Sequence, residues 1–464
     1  MSVHSIYSVV NRQFHRFFYD PIIRTFVENS SSGSNHINGN APSLEVAIVG
    51  GGIVGVMTAL GLGRRGIKVV IYERASTWTE VSAGFAFTEA ARRWMKEIDP
   101  ALIDILERIS QKTDADSSNS YWDGYTPRTK EDSDNESKSL LFRHPNRKLL
   151  YWGCVRSQFL KEMGALLPED TVVFGKQLLK YDDDETGRKV TLHFEDGTTA
   201  EADVLLGCDG VHSSTRKTLL GEDHPASRPG YSHNVTYRTM VPFDVGVSVL
   251  GEKTAETGCM QCGPNANLLT YPVMGGTLLN IAVFAYDPKE FPEPKKMTVQ
   301  GDREEIKEIF KDWSPHVSNV WKLYPEKVSK WGIHDMTENP PPTYARGRAC
   351  IVGDAAHAST PFLGIGACTG VEDALVVCKV LESVHTRWNT INGKGAAACA
   401  LVEALQSYSR ARMERGQWVS SNSLRIGKMY QWRDGQRGKE LQRELAEASQ
   451  TIVAYDVLAP LKTE

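Results

Sequence analysis

At 464 residues, with 41% hydrophobic and 24% charged, the chain is too long for one ordinary core and has the composition of a folded protein. A formal net charge of −4 gives no electrostatic reason to expect nucleic acid or an anionic membrane as the main partner. No stretch approaches the ~20 apolar residues of a membrane-spanning helix, so a small-molecule partner and two interleaved domains with appendages are the expectation.

Residues 1–43 read as an extension. Ile6, Val10, Phe14 and Phe17 recur at helical spacing among Arg12, Arg16 and Arg24, ahead of a flexible linker Ser30-Ser31-Ser32-Gly33-Ser34. A docking helix or tail is the plain reading, and targeting or membrane contact is the alternative. From Leu44 the pattern becomes regular. Val46-Ala47-Ile48-Val49 is a short buried strand, Val54 to Arg65 is helical, and Val69-Val70-Ile71-Tyr72 is a second apolar strand, which together make a βαβ unit. Residues 113–138, ending in Lys130-Glu131-Asp132-Ser133-Asp134-Asn135-Glu136, are polar enough for an exposed insertion. Asp196-Gly197 between Thr191-Leu192-His193-Phe194 and the run from Thr199 signals a hairpin, followed by a strand at Asp203-Val204-Leu205-Leu206. Residues 223–327 are strand-rich with a helical interruption near Glu304 to Lys311, and after the buried strand Ala349 to Val352 the chain turns helical to its end.

The eight cysteines, Cys154, Cys208, Cys259, Cys262, Cys350, Cys368, Cys378 and Cys399, lie scattered through apolar stretches, which fits a reduced, cytoplasmic interior. Cys259 and Cys262 form a CxxC, but no second pair or neighbouring His supplies metal spacing, so no metal is expected.

Gly50-Gly51-Gly52-Ile53-Val54-Gly55 follows a strand and opens a helix, the context that gives a GxGxxG pattern meaning. Gly50 permits the tight turn, Gly52 lets a pyrophosphate approach the backbone, Gly55 allows close packing, and the helix N-terminus faces the anion. Glu73, at the end of the second strand, is placed to accept hydrogen bonds from an adenosine ribose. These features specify a dinucleotide without separating FAD from NAD. Two later signals, Gly207-Cys208-Asp209-Gly210-Val211-His212-Ser213-Ser214-Thr215-Arg216 and Gly353-Asp354-Ala355-Ala356-His357-Ala358, each set an aspartate and pliable backbone at a strand's carboxyl end. A carboxylate there can hold ribityl hydroxyls.

In this order, the GxGxxG, Asp209-Gly210 and Gly353-Asp354 resemble the flavoprotein aromatic hydroxylases, with salicylate hydroxylase-like members the most similar. The resemblance runs over about residues 44–425 and takes in Ala83-Gly84-Phe85-Ala86, Val155-Arg156, Pro361, Gly364-Ile365-Gly366-Ala367 and Glu372-Asp373-Ala374. Gly263-Pro264-Asn265-Ala266-Asn267 with Tyr271-Pro272 also looks like fungal members that act on polyketide-derived phenols. The resemblance implies an FAD-dependent monooxygenase, with NAD(P)H and O2 as co-substrates and a small phenolic or related aromatic substrate. In such enzymes the reduced flavin captures dioxygen as a C4a-hydroperoxide that attacks the ring. It implies Glu73 on the ribose, Gly84, Ala86 and Arg156 against the flavin nucleotide, and Asp354 on the ribityl chain. Gly366 and Ala367 would form a helix N-terminus against the pyrimidine edge, with Asp209 beside the pyrophosphate and the entering nicotinamide nucleotide.

Tyr237 and Arg238 open the strand-rich region and are the expected substrate contacts, although strand alternation turns only one of two neighbours inward. Phe362 and Leu363 either shield the reacting oxygen or simply pack under their loop. His357 and His212 read as turn residues before acids or bases, and Tyr408, Arg412, Arg415 and Trp418 as a supporting helix face. The implied fold is α/β: a Rossmann-like FAD domain from 44–222 and 328–385, interrupted by a smaller sheet domain at 223–327 and followed by helices at 386–464. A flavin oxidase or dehydrogenase without oxygen insertion, and a non-enzymatic FAD scaffold, remain open at this point.

Overall fold

The computed structural model describes residues 43–78, 84–112, 118–126, 139–145, 149–183, 189–293, 296–388, 390–391 and 394–462. The extension before Ser43, Ala83, and residues 113–117 and 127–138 of the expected insertion lie outside the described residues.

The apolar run Val46–Val49 is buried on every residue and needs cover on both faces, and strand Glu45–Val49 has it as an inner member of a six-stranded sheet. The order is 345–346, 349–351, 204–207, 45–49, 68–73, 172–174, parallel throughout except for the first pair. Helix Ile53–Arg64 connects strands Glu45–Val49 and Lys68–Glu73, so the expected βαβ unit forms within a residue or two of its predicted bounds. The predicted hairpin is present as Val190–Phe194 against Thr199–Ala202, with Gly197 at φ 79° in the turn.

A second sheet has eight strands in the order 298–302, 327–335, 230–242, 278–286, 266–273, 259–263, 118–123, 140–145. Two expectations change here. Ser118–Asp123, read as part of an exposed insertion, pairs with Cys259–Gly263 and buries Tyr121 and Trp122, because its two aromatic residues outweigh the polar text around them. The expected boundary also moves: the sheet recruits 118–123 and 140–145 from the first segment, and its strand Lys327–Asp335 crosses 327–328.

The two faces of this sheet go to different cores. Val235, Tyr237, Val241, Ile281 and Val283 join Ile306, Phe310, Trp313 and Tyr324 on one side. On the other, Ala282 and Phe284 join the large core shared with the six-stranded sheet and the helices Gly366–His385 and Lys394–Tyr430. Arg238 pairs with Ala282 and Thr236 with Phe284, which fixes their side chains on this second face. Among the described residues no helix is long and apolar enough to cross a membrane. All eight cysteines are free thiols and only Cys399 is exposed.

Candidate active site

Three carboxyl ends of the six-stranded sheet converge on the glycine loop. Gly50 has φ 105°, and a Cβ there would lie 2.3 Å from the Cys208 carbonyl oxygen; one at Gly55 would lie 2.0 Å from the Gly50 carbonyl oxygen. The chain's own packing therefore demands these two glycines. Gly52 is different, since the nearest atom to its Cβ position is an Arg156 guanidinium nitrogen at 3.7 Å. Helix Ile53–Arg64 starts there with no side-chain cap, so open space, a guanidinium and unsatisfied helix N–H groups coincide, which suits a pyrophosphate. The Glu73 carboxylate accepts from the Gly51 N–H at 2.6 Å and the Ala75 N–H at 2.7 Å, which locks the loop and leaves lone pairs for a further donor.

Asp209 faces its own turn: it accepts from the Ser213 hydroxyl at 2.5 Å and from the Thr215 N–H at 2.9 Å and hydroxyl at 3.1 Å. Its carboxylate shapes the entry to helix Ser214–Leu220, and the turn it holds presents backbone on the side of the glycine loop. Asp354, by contrast, is exposed beside Gly353, which has φ 65°. Helix Gly366–His385 has no side-chain cap and no acidic residue in its first turn, with Gly366 exposed and Ala367 half-buried. Its Cys368 thiol packs at 3.7 Å from the Ala86 carbonyl oxygen, bringing strand Gly84–Phe87 to the same place. Open glycines, a projecting carboxylate and two uncapped helix N-termini fit a flavin dinucleotide.

Tyr237 and Arg238 separate as neighbours in a strand must. The Tyr237 ring is buried in the far core, and its hydroxyl donates to Glu305 Oε2 at 2.8 Å, so it does not reach the glycine-loop side. That corrects its expected role. Arg238 points to the opposite face, the side of Ala282 and Phe284, where it is exposed, while the protein packed around it lowers its pKa by desolvation. Tyr271, one pair along on the same face, is half-buried and has its pKa raised by burial and pulled back by Arg238. Its hydroxyl lies 2.7 Å from the position a Gly84 Cβ would occupy. Tyr151 is half-buried with its pKa raised by burial, and its hydroxyl lies 3.9 Å from the Cβ position of Gly364. Neither tyrosine was assigned a role from sequence. Tyr271 shares Arg238's face only through the register of both strands on Leu278–Tyr286, and nothing local marks Tyr151.

Phe362 packs its ring 5.4 Å from Phe284 and 6.3 Å from Tyr430, and Leu363 is buried beside it, so both are packed under their loop. His357 is tied to Asp373 at 2.6 Å, away from a reacting position. Arg412 and Arg415 are buried ion-pair partners of the helix Gly366–His385.

A family model described as "FAD binding domain" matches residues 43–423. An "FAD-dependent monooxygenase" of Aspergillus terreus is 45% identical over 418 residues, 89% of this chain and 94% of its own. "Salicylate hydroxylase asL1" of Sarocladium schorii is 38% identical over 434 residues, 89% of this chain and 88% of its own. Among solved structures, a "Salicylate hydroxylase substrate complex" superposes with a TM-score of 0.74 at 24% identity, over 90% of this chain and 97% of that one.

Proposed function

Since the chain belongs to the flavoprotein aromatic hydroxylases of the FAD-binding-domain family and is an FAD-dependent monooxygenase of the salicylate hydroxylase type, we propose that it uses NAD(P)H and O2 to hydroxylate a phenol held by Arg238 and Tyr271. The likeness of Gly263-Pro264-Asn265-Ala266-Asn267 with Tyr271-Pro272 to fungal members that act on polyketide-derived phenols favours such a phenol, of secondary metabolism, as the substrate. The observation that carries this reading is a guanidinium and a tyrosyl hydroxyl on one sheet face, near enough to shift each other's ionisation, with the hydroxyl against strand Gly84–Phe87.

FAD, when bound, supplies hydride acceptance and oxygen activation. The chain's residues do the rest. Gly52 and Arg156 would receive the pyrophosphate on the turn that Gly50 and Gly55 shape by packing, Glu73 would take the ribose, Asp354 the ribityl chain, and the Gly366 and Ala367 N–H groups the pyrimidine edge, with Gly84, Ala86 and the Asp209 turn closing the cradle. Arg238 lowers the ionisation pH of a phenol, ordinarily near ~10, by setting a permanent positive charge in a desolvated site. Tyr271, kept protonated by burial, donates its O–H to the resulting phenolate. Phe284 and Phe362 line the large core beside them and help exclude water. In a substrate panel, phenols should stimulate NAD(P)H oxidation and yield products 16 mass units heavier, roughly one oxygen atom. Their methyl ethers, which cannot ionise, should do neither. Ethers turned over as well as phenols would remove the role of Arg238.

The Asp209 turn is cationic. Burial pushes His212 down to about 4, and His334, Arg216, Lys217 and Arg74 push the same way. Its imidazole is therefore neutral near pH 7, and because the unfolded chain takes up a proton first, stability falls as pH drops from 6.5 towards 4. A nicotinamide nucleotide's phosphates are proposed to sit by this turn, which would raise the His212 pKa and couple binding to proton uptake. The KM for NAD(P)H should then rise with pH from about 4 and level off above the raised His212 pKa of the bound state, and Arg74→Glu should raise it by ~10-fold without loss of FAD. An Arg74→Glu enzyme with an unchanged KM would put the nucleotide elsewhere.

A further inference from the structure

Five charged or ionisable side chains lie buried together behind the flavin cradle: His357, Glu372, Asp373, Arg412 and Arg415. Asp373 Oδ1 accepts from Arg412 Nε at 2.7 Å, and Oδ2 accepts from the Gly353 N–H at 2.8 Å and meets His357 Nε2 at 2.6 Å. Glu372 accepts from Arg412 Nη2 at 2.6 Å and Arg415 Nη2 at 3.0 Å. Arg412 Nη1 donates to the Tyr455 hydroxyl at 2.8 Å, and the Arg415 guanidinium lies 4.3 Å over the Tyr455 ring.

Burying such a cluster is a poor route to stability, because desolvation consumes most of the Coulomb gain and apolar packing serves as well. What the bonds achieve is placement. Gly353 is the residue before Asp354, and Asp373 lies on the helix that begins at Gly366. One carboxylate thus ties together the two halves of the cradle, the turn that presents Asp354 and the helix whose N-terminus is uncapped. Arg412 fixes that carboxylate from the long helix Lys394–Tyr430, and Tyr455 fixes Arg412 from beyond helix Lys439–Ala454.

We propose that Asp373 and Arg412, completed by Tyr455, are positioning residues that hold Asp354 and the Gly366 helix N-terminus in register for FAD and set the charge that the flavin experiences. The proposal rests on reading those two features as the flavin cradle. Because each acid is matched by an arginine, the positive end of the helix is left uncancelled towards the flavin.

The test is FAD dissociation measured by flavin fluorescence, with the midpoint potential of the bound flavin, in Asp373→Asn, Arg412→Gln, Tyr455→Phe and Asp354→Ala. Asp373→Asn and Arg412→Gln should each raise the FAD dissociation constant by about tenfold or more, and Tyr455→Phe by about threefold. The potential should rise in Asp373→Asn, which loses a negative charge, and fall in Arg412→Gln, which loses a positive one. Loosening alone would not move it in opposite directions. Tyr455→Phe deletes one hydroxyl and keeps the test alive if a charge variant does not fold. Wild-type FAD affinity in Tyr455→Phe and in every charge variant that folds, with Asp354→Ala weakened, overturns the positioning role alone. Wild-type affinity in Asp354→Ala overturns the cradle reading and the proposal with it.

Discussion

Arg238→Gln should remain yellow and folded while product formation falls by ~10²-fold and NAD(P)H consumption is diverted to hydrogen peroxide. The residue is not among those proposed to hold FAD, so flavin content should not change. The loss has two sources. A charge-assisted hydrogen bond to a phenolate contributes ~1.5–3 kcal/mol, and without the guanidinium a desolvated phenol stays protonated and is a poor nucleophile towards activated oxygen. About 3 kcal/mol in the barrier is roughly two decades in rate. Tyr237→Phe is the internal control: it removes only the bond to Glu305 on the other face of the sheet, and it should turn over within a few-fold of wild type. Product yield and peroxide, measured together, check both variants. Full coupling in Arg238→Gln, or uncoupling in Tyr237→Phe, would reverse the assignment of faces.

Gly52→Ala should lose FAD affinity by ~10²-fold while the FAD-free chain unfolds at the wild-type temperature. The nearest atom to the added methyl is 3.7 Å away, an ordinary contact, and Gly52 has φ −75°, so the folded chain tolerates it. The methyl instead fills the space into which a pyrophosphate must come, parting it from the helix N–H groups. Gly50→Ala would fail differently. Its Cβ would meet the Cys208 backbone oxygen at 2.3 Å on a φ of 105°, so both the fold and the flavin should suffer. Thermal unfolding without FAD, alongside flavin titration, separates the two. FAD binding by Gly52→Ala at wild-type strength would move the pyrophosphate away from this loop.

These outcomes reflect what the sequence carried. The βαβ unit was legible because Val46 to Val49 and Val69 to Tyr72 are apolar runs around a glycine turn, a pattern whose physics is local. Ser118–Asp123 was not, because a six-residue strand becomes visible only through its partner Cys259–Gly263, far along the chain. The same limit hid Tyr271 and Tyr151, whose approach to Gly84 and Gly364 depends on tertiary packing. Strand alternation allowed one of Tyr237 and Arg238 to face the flavin side, but choosing between them required knowing that Arg238 pairs with Ala282 in the shared core. Asp209 illustrates the converse: its motif position was readable, whereas its carboxylate's commitment to Ser213 and Thr215 was not.

Every assignment above depends on oxygen insertion into a phenol at the expense of NAD(P)H. Mass analysis of the product formed under 18O2 by the FAD-loaded protein, with NAD(P)H and a phenol that stimulates its oxidation, tests it most directly. The product should carry one heavy oxygen atom for each NAD(P)H consumed in the coupled reaction. Product with no heavy oxygen, or hydrogen peroxide as the sole oxygen-derived product across phenols that bind, would contradict it.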